Sequence, residues 1–425
     1  MNKSEPPGQT RPSAASAREA INKPSEPGFL DHPRKMLPHD AEQALLIGRV
    51  WMPAQGARPA GPCVVKVTDQ SVYDLTPDFP TVSHLINAPD AVRPMESVPA
   101  GRRIASFDEI AEATLSAALS ERAPRFLPPV DLQPIKASGV TFYDSLLERL
   151  IEERTGGRHE TADQVRRDIT QRLGDGLDSI VPGSPAALDM LARLRSAGLW
   201  SQYLEVAIGQ DAEIFTKASP LACVGPGAAV GVLRHSKWNN PEPEVVLVID
   251  RRGRIAGATL GNDVNHRDIE GRSALLLGRA KDNNGCCAIG PFVRLIDSRF
   301  TLDRLRKTGV ELSIDGRDGF RFHDSNVLSR IRRDIAGLVE QCIGPNNAFP
   351  DGVALMLGAM CSVTRDRFGD GTGFTHAPGD VVRVSSADLG CLANRIVYCD
   401  NVPPWPMGIG ELMHNLARRN YLPRD

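Results

Sequence analysis

The chain is expected to be an α+β protein built on mixed β-sheets, and three observations carry that expectation. Short β-branched runs such as Cys63–Val67 (CVVKV), Ser71–Leu75 (SVYDL) and Glu244–Asp250 (EVVLVID) have strand character. Helical apolar stripes are read at 107–119, 146–153, 162–173, 186–197 and 327–341, so the chain combines helices with those strands. With 425 residues, there is chain enough for a large core and more than one unit.

In chain order, residues 1–40 are rich in Pro, Ser, Lys and Glu and are expected to form a disordered leader. Residues 41–134 are read as a small β-rich N-terminal module, with a helix over Phe107–Leu119 and a Pro-rich linker over Arg122–Pro134. The main domain is set at 135–425, with helices expected over Leu146–Glu153, Ala162–Leu173, Ala186–Ala197 and Val327–Gln341. GPGAAVG, beginning at Gly225, superficially suggests a phosphate loop, but no Lys-Ser/Thr follows it.

Composition excludes several functions. With 50 basic and 52 acidic residues, and no basic stripe interleaved with aromatics, nucleic acid is not an expected partner. No apolar run approaches the roughly 18 residues of a membrane span, and there is no hydrophobic signal core. The eight cysteines form no CxxC pair and there is no HExxH, so neither zinc nor a disulfide framework is supported. A cytoplasmic enzyme with reduced thiols fits this pattern.

The informative chemistry sits in one hairpin. EVVLVID turns at Arg251-Arg252-Gly253 and returns as RIAGATL, residues 254–260. Side chains two apart on a strand share a face, so Glu242 and Glu244 project together, and Asp263 arrives beside them at the end of the partner strand. Three carboxylates at one point repel unless protons or a cation neutralise them. An all-oxygen set suits a hard ion, Mg²⁺ first, with Mn²⁺ or Ca²⁺ as alternatives. The plainer alternative is a solvated edge strand with Asp263 in a turn.

Downstream, GNDVNHRD (Gly261–Asp268), the stripe IEGRSALLLGRAK ending at Lys281, and the IGP of residues 289–291 complete a pattern. It resembles the fumarylacetoacetate hydrolase family, whose core carries ExE, then NDxxxRD, a Gln or Glu two residues on, a helix, a Lys and an IGP-like turn. The resemblance spans roughly Gly139–Asp400. It implies a mixed β-roll or β-sandwich of the family's C-terminal type, a helical insert at about 157–200, and a homodimer. It also implies metal ligands at Glu242, Glu244 and Asp263, a substrate-contacting acid at Glu270 and an active-site lysine at Lys281. In the closing segment, beginning at Gly373, Thr375 is the substrate-binding candidate, with Thr372 as an alternative register. Lys217 and Arg267 are further candidates for binding a substrate carboxylate or hydroxyl, structural ion pairs being the alternative. His266 and His235 are read as structural rather than ligating.

One segment departs from the family pattern. Hydrolytic members carry a motif like GxNYxxHxxE, where His and Glu activate water; here Gly139–Glu148 reads GVTFYDSLLE, with Ser145 at the His position. A serine is no general base at neutral pH without a partner, so hydrolysis is disfavoured. The segment is more similar to a subgroup that dehydrates 2-keto-3-deoxy sugar acids. The expected activity is therefore a Mg²⁺-dependent hydro-lyase of a small keto acid, with a five-carbon substrate giving 2-oxoglutarate semialdehyde. Glu148 is the first choice for the catalytic base and Glu270 the second, with Lys281 supporting the enolate and Ser145 lining the substrate site. The alternatives are a hydrolase of acylpyruvates or 2,4-diketo acids and, less favoured, a non-catalytic sugar-acid-binding protein.

Overall fold

A computed structural model of the chain describes residues 27–96, 98–116, 123–156, 158, 162, 164–167, 180–369, 373–404 and 407–422. Among these, eighteen strands form two main sheets and a two-stranded ribbon. The large sheet takes β1 (Leu46–Met52), β2 (Gly61–Val67), β3 (Ser71–Asp74), β4 (Arg103–Ser106), β5 (Arg125–Leu127), β6 (Ile135–Gly139) and β7 (Glu213–Ala218). The five-stranded sheet begins with β8 (Ala229–Val232), and β9 (Asn239–Asn240) belongs to the ribbon. The large sheet then gains β10 (Pro243–Ile249), β11 (Ile255–Asp263), β13 (Cys287–Leu295) and β16 (Val353–Met356), while β12 (Asn265–His266) pairs with β9. β14 (Gly309–Asp315), β15 (Arg321–Val327), β17 (Val381–Ser386) and β18 (Gly390–Tyr398) complete the second sheet. The order in the large sheet is β4-β3-β2-β1-β13-β11-β10-β16-β6-β7, with β5 on β1; in the smaller one it is β15-β14-β17-β18-β8.

The hairpin sits at the centre of the large sheet. β10 pairs antiparallel with β11, Glu244 opposite Gly261, and also with β16. Every residue of β10 is buried. Val245, Leu247 and Ile249 pack into one core cluster, whereas Val246 and Val248 pack into another on the opposite face. A strand covered on both faces reads as a continuous apolar run rather than an alternating one, and that is the origin of EVVLVID.

The N-terminal strands are no separate sheet. Leu46 and Ile47 of β1 register with Arg294 and Val293 of β13, so the sheet runs without a break across residue 134. Residues 1–26 of the expected leader lie outside the described residues. Residues 27–40 differ from that expectation, for they pack on the body: Met36 is fully buried, and Arg383 and Arg395 donate to the carbonyls of Gly28 and Pro27.

Four helices matter for the site or the sequence reading. α1 (Phe107–Leu115) opens on a complete capping box, the Ser106 hydroxyl accepting from Glu109 N while the Glu109 carboxylate accepts from Ser106 N. α2 (Tyr143–Thr155), α3 (Pro185–Ser196) and α4 (Gln202–Ile208) pack through Leu146, Leu150, Leu191 and Leu204 into a helical layer. Most of the helix expected over Ala162–Leu173 lies outside the described residues. Two expectations are corrected. Val327 ends β15, and the helix starts only at Ile335, where Asp334 caps it through Ala336 N. Gly290-Pro291, read as a closing turn, lies inside β13, where the pairing with β11 shifts register. A proline has no N–H to give the ladder, and the irregularity accommodates it.

Candidate active site

The mouth of the β10–β11 hairpin is pinned by its backbone. Asp263 N donates to Glu242 O at 2.9 Å, and Glu242 N donates to Asn262 Oδ1 at 3.1 Å. This brings carboxylate oxygens of Glu242, Glu244 and Asp263 within 4.8 Å of one another, all three residues buried. The triad lies on the sheet face shared with Val246 and Val248, since the alternation of β10 carries Glu244 to that side.

Two lysines close on the triad. Lys281, at the end of a short helix Leu277–Lys281, places Nζ 2.5 Å from Glu242 Oε2 and 3.0 Å from Asp263 Oδ2. Lys217 of β7 sits 2.6 Å from Asp263 Oδ1 and donates to the carbonyls of Val264 and Lys281 at 2.9 and 2.6 Å. Lys217 is fully buried against Asp263 and is not among the residues that line the cavity around the triad, so it is placed to position Asp263 rather than to meet a substrate.

Arg149 of α2 is the group that the sequence reading missed. Its guanidinium bridges Glu242 and Glu270, each at 2.6 Å, and Glu152 at 2.8 Å. On this helix the sequence offered only Ser145 and Glu148 as candidates, whereas Glu148, Arg149 and Glu152 are all buried. Glu213 was missed too, although the alternation Glu213-Ile-Phe215-Thr-Lys217 places it on the same strand face as Lys217. Ser145, Arg149, Glu213, Glu270 and Lys281 line, with the triad, a cavity of about 10 Å³, room for at most one water.

The charges within this cavity differ in character. Burial opposes ionisation of Glu242, but Lys281 and Arg149 overcome it and draw its carboxyl down to about 2. Glu244 goes the other way: burial, then the facing Asp263 and Glu242, hold it well above the usual carboxylate range. Its partner is a backbone amide, Gly358 N at 2.6 Å, presented by a glycine at φ +99°, a conformation that L side chains rarely adopt. Burial lifts Glu270 to about 7 against the pull of Arg149 and Lys281. Lys281 stays protonated, because Asp263, Glu242 and Glu270 outweigh its burial. A cluster whose carboxylates are in part driven to hold protons fits a hard divalent cation, which would replace those protons and ionise Glu244.

The remaining candidates lie elsewhere. Glu148 does not line the cavity; Arg267 holds it at 2.7 Å and Arg166 at 2.9 Å, and against its burial these two keep it below the usual carboxylate range. Arg267 is spent on Glu148 and Glu152 and stacks on Trp238 at 4.2 Å. Thr375 donates to Lys237 O and is not among the residues lining the cavity, while Thr372 lies outside the described residues. His266 accepts from Leu233 N at 2.8 Å and donates to Ala280 O at 2.6 Å, which fixes a neutral Nδ1–H tautomer, and burial lowers it to about 4.

A roll of mixed sheets with a buried ExE-and-Asp triad and a facing lysine defines a class, and the sequence comparisons agree with it. The pattern of the family described as fumarylacetoacetate (FAA) hydrolase C-terminal matches residues 201–397, and this chain belongs to that family. Two relatives are similar. One is a "Probable 2-keto-3-deoxyxylonate dehydratase" of Haloferax volcanii, 45% identical over 206 residues that cover 48% of this chain and 67% of the relative. The other is a "2-dehydro-3-deoxy-D-arabinonate dehydratase" of Saccharolobus solfataricus, 35% identical over 188 residues. That match covers 43% of this chain and 58% of the relative's length. A solved 2-keto-3-deoxy-D-arabinonate dehydratase, complexed with magnesium and 2,5-dioxopentanoate, shares the fold. Its TM-score is 0.55 at 21% identity, over 83% of this chain and 99% of that one.

Proposed function

We propose that this protein is a Mg²⁺-dependent dehydratase of a 2-keto-3-deoxy-pentonate, yielding 2,5-dioxopentanoate and water. The observation that carries this reading is the buried triad Glu242, Glu244 and Asp263 with protonated Lys281 and the raised carboxyl of Glu270 beside it. The printed activities of the two relatives and the ligands of the solved dehydratase agree with it. Ser145 stands where hydrolytic members of the family carry their water-activating histidine, and dehydration needs no water to be activated.

Glu242, Glu244 and Asp263 would hold the ion, which when bound supplies the positive charge that makes the C3 protons of a 2-keto acid more acidic. Glu270 takes a C3 proton, a task suited to a carboxyl lifted to about 7. The C3–H electron pair forms the C3=C4 bond as the C4–O bond breaks. Glu270 returns its proton to the departing hydroxyl, which leaves as water, and the unsaturated product tautomerises to the aldehyde. Lys281 stabilises the negative charge that builds on the substrate oxygens. Glu148 is not assigned the proton transfer, because two arginines occupy its carboxylate away from the cavity. A cavity of about 10 Å³ does not hold a five-carbon acid, so substrate entry displaces the Arg149 guanidinium from Glu242 and Glu270.

We read the enzyme further as a cytoplasmic homodimer; among the described residues no helix is long and apolar enough to cross a membrane. Light scattering after gel filtration tests the dimer. NMR of the products formed from 2-keto-3-deoxy-pentonate and Mg²⁺, with an EDTA control, tests the activity. An EDTA-sensitive five-carbon semialdehyde supports dehydration. Unchanged substrate, together with cleavage of an acylpyruvate, overturns it in favour of hydrolysis.

A further inference from the structure

Behind the active site, two thiols from distant parts of the chain meet. Cys286 Sγ and Cys399 Sγ lie 3.6 Å apart although 113 residues separate them in sequence. Cys286 is buried immediately before β13, and Cys399 follows β18 and is partly exposed. Both ends are held. Arg234 clamps Asp400, next to Cys399, at 2.9 Å and stacks on Tyr398 at 4.0 Å. Cys286 O accepts from Val264 N at 3.1 Å, next to Asp263. Gly231 of β8 makes the approach feasible, since a Cβ there would stand 2.1 Å from Asn284 O and 3.1 Å from Cys399 Sγ. The other six cysteines are all buried.

We propose that Cys286 and Cys399 form a redox modification site, a dithiol that peroxide converts to an intramolecular disulfide and that dithiols reduce again. The Cys399 thiolate attacks the peroxide O–O bond and becomes a sulfenic acid, and the departing hydroxide takes up the proton that the Cys399 thiol had released, leaving as water. Cys286 sulfur then attacks the sulfenic sulfur, the S–S bond forms, the S–OH bond breaks, and the second oxygen leaves as water with the Cys286 proton. Two thiols are oxidised and one peroxide is reduced. Cys399 is the attacking partner because it is the more exposed, and its contact with the Cys286 thiol lowers its own thiol below the ordinary value. The bond ties the strand that registers with Asp263 to the end of the second sheet, closing a long loop.

The test uses the full chain with Cys286→Ser and Cys399→Ser variants. Each is treated with hydrogen peroxide under native conditions, alkylated, digested and mapped by mass without reductant. The wild type is expected to lose a pair of titratable thiols and to yield a Cys286–Cys399 linked peptide that dithiothreitol removes; neither variant does so. Closing a loop of 113 residues also raises the melting temperature of the oxidised wild type by roughly 5 °C, absent in the variants. Circular dichroism of the reduced variants confirms that they fold. If they do not, the peptide map and melting shift of the wild type alone decide the matter. Wild type that keeps all its thiols, or that stops at sulfinic acid on Cys399 with Cys286 still reduced, overturns the proposal. Linkage that appears only after denaturation does so as well.

Discussion

Two buried charged clusters stand side by side, and they are built on opposite principles. In the helical cluster, Glu148 and Glu152 face Arg267, Arg166 and Arg149, and each carboxylate has a guanidinium in hydrogen-bond contact. In the hairpin cluster, Glu242 and Asp263 have Lys281, yet among the described residues Glu244 is hydrogen-bonded by a backbone amide alone and is driven to hold a proton. Paired charges are satisfied within the fold, whereas a carboxylate surplus waits for a cation. The burial that makes the first cluster structural leaves the second with carboxylates that could hold a cation. Arg149 belongs to both, bridging Glu152 to Glu242 and Glu270.

The sharpest break in this comparison is Glu244→Gln. It is expected to abolish turnover and the stabilisation by Mg²⁺, which is about 2.7 kcal/mol in the parent at a hundredfold excess over Kd and is read as a rise in melting temperature. The metal-free fold should persist, because glutamine imitates the neutral acid that burial already favours. A variant that still melts higher with Mg²⁺ removes the triad from metal binding.

Next comes Glu270→Gln, expected to lower kcat by about 10²- to 10⁴-fold, the usual worth of a positioned base. The parent carries a pH signature with a defined sign. A carboxyl raised to about 7 is protonated below that pH and cannot accept a proton, so kcat/KM should climb as pH rises through about 7. Loss of that limb in the variant checks the assignment; an unchanged profile sinks it.

Arg149→Met leaves Glu152, Glu242 and Glu270 without their shared cation. Breaking a buried network of this kind costs about 3–5 kcal/mol, measured by chemical denaturation without Mg²⁺. Added Mg²⁺ should restore part of the loss, because the ion neutralises Glu242.

Glu148→Gln is the mildest for catalysis. It should cost stability, about 3 kcal/mol by the same reasoning, while kcat in the folded fraction stays within a few-fold. A fall of about 10²-fold in a fully folded variant would return Glu148 to the role of base and blur the distinction between the clusters.

How much of this was legible beforehand follows from the range of each interaction. Glu242, Glu244 and Asp263 are brought together by one hairpin, whose strand period and short turn are local properties of the chain. Lys281 and Glu270 came with the family pattern on the same stretch. Ser145 was placed by the motif it interrupts. The boundaries were less visible: the strand pairing of β1 with β13 depends on residues some 250 positions apart, so a module border drawn near residue 134 crosses a continuous sheet. The helix expected over Val327–Gln341 is present but starts only at Ile335, because apolar period alone does not see the end of β15 or the Asp334 cap.

By itself, the sequence determined the carboxylate hairpin and its all-oxygen donor set, which rest on side-chain alternation and on donor types, while the mixed α+β class came with the family pattern. Only the tertiary structure decided which charges are spent. Nothing in the sequence singles out Arg149 or Glu152, and folding buries both and sets the Arg149 guanidinium against Glu242 of the triad. In one dimension Glu148 is the first choice of base and Glu270 the second. In three, arginines occupy one, and burial lifts the other to about 7, because desolvation and long-range ion pairing exist only once the chain has closed around them.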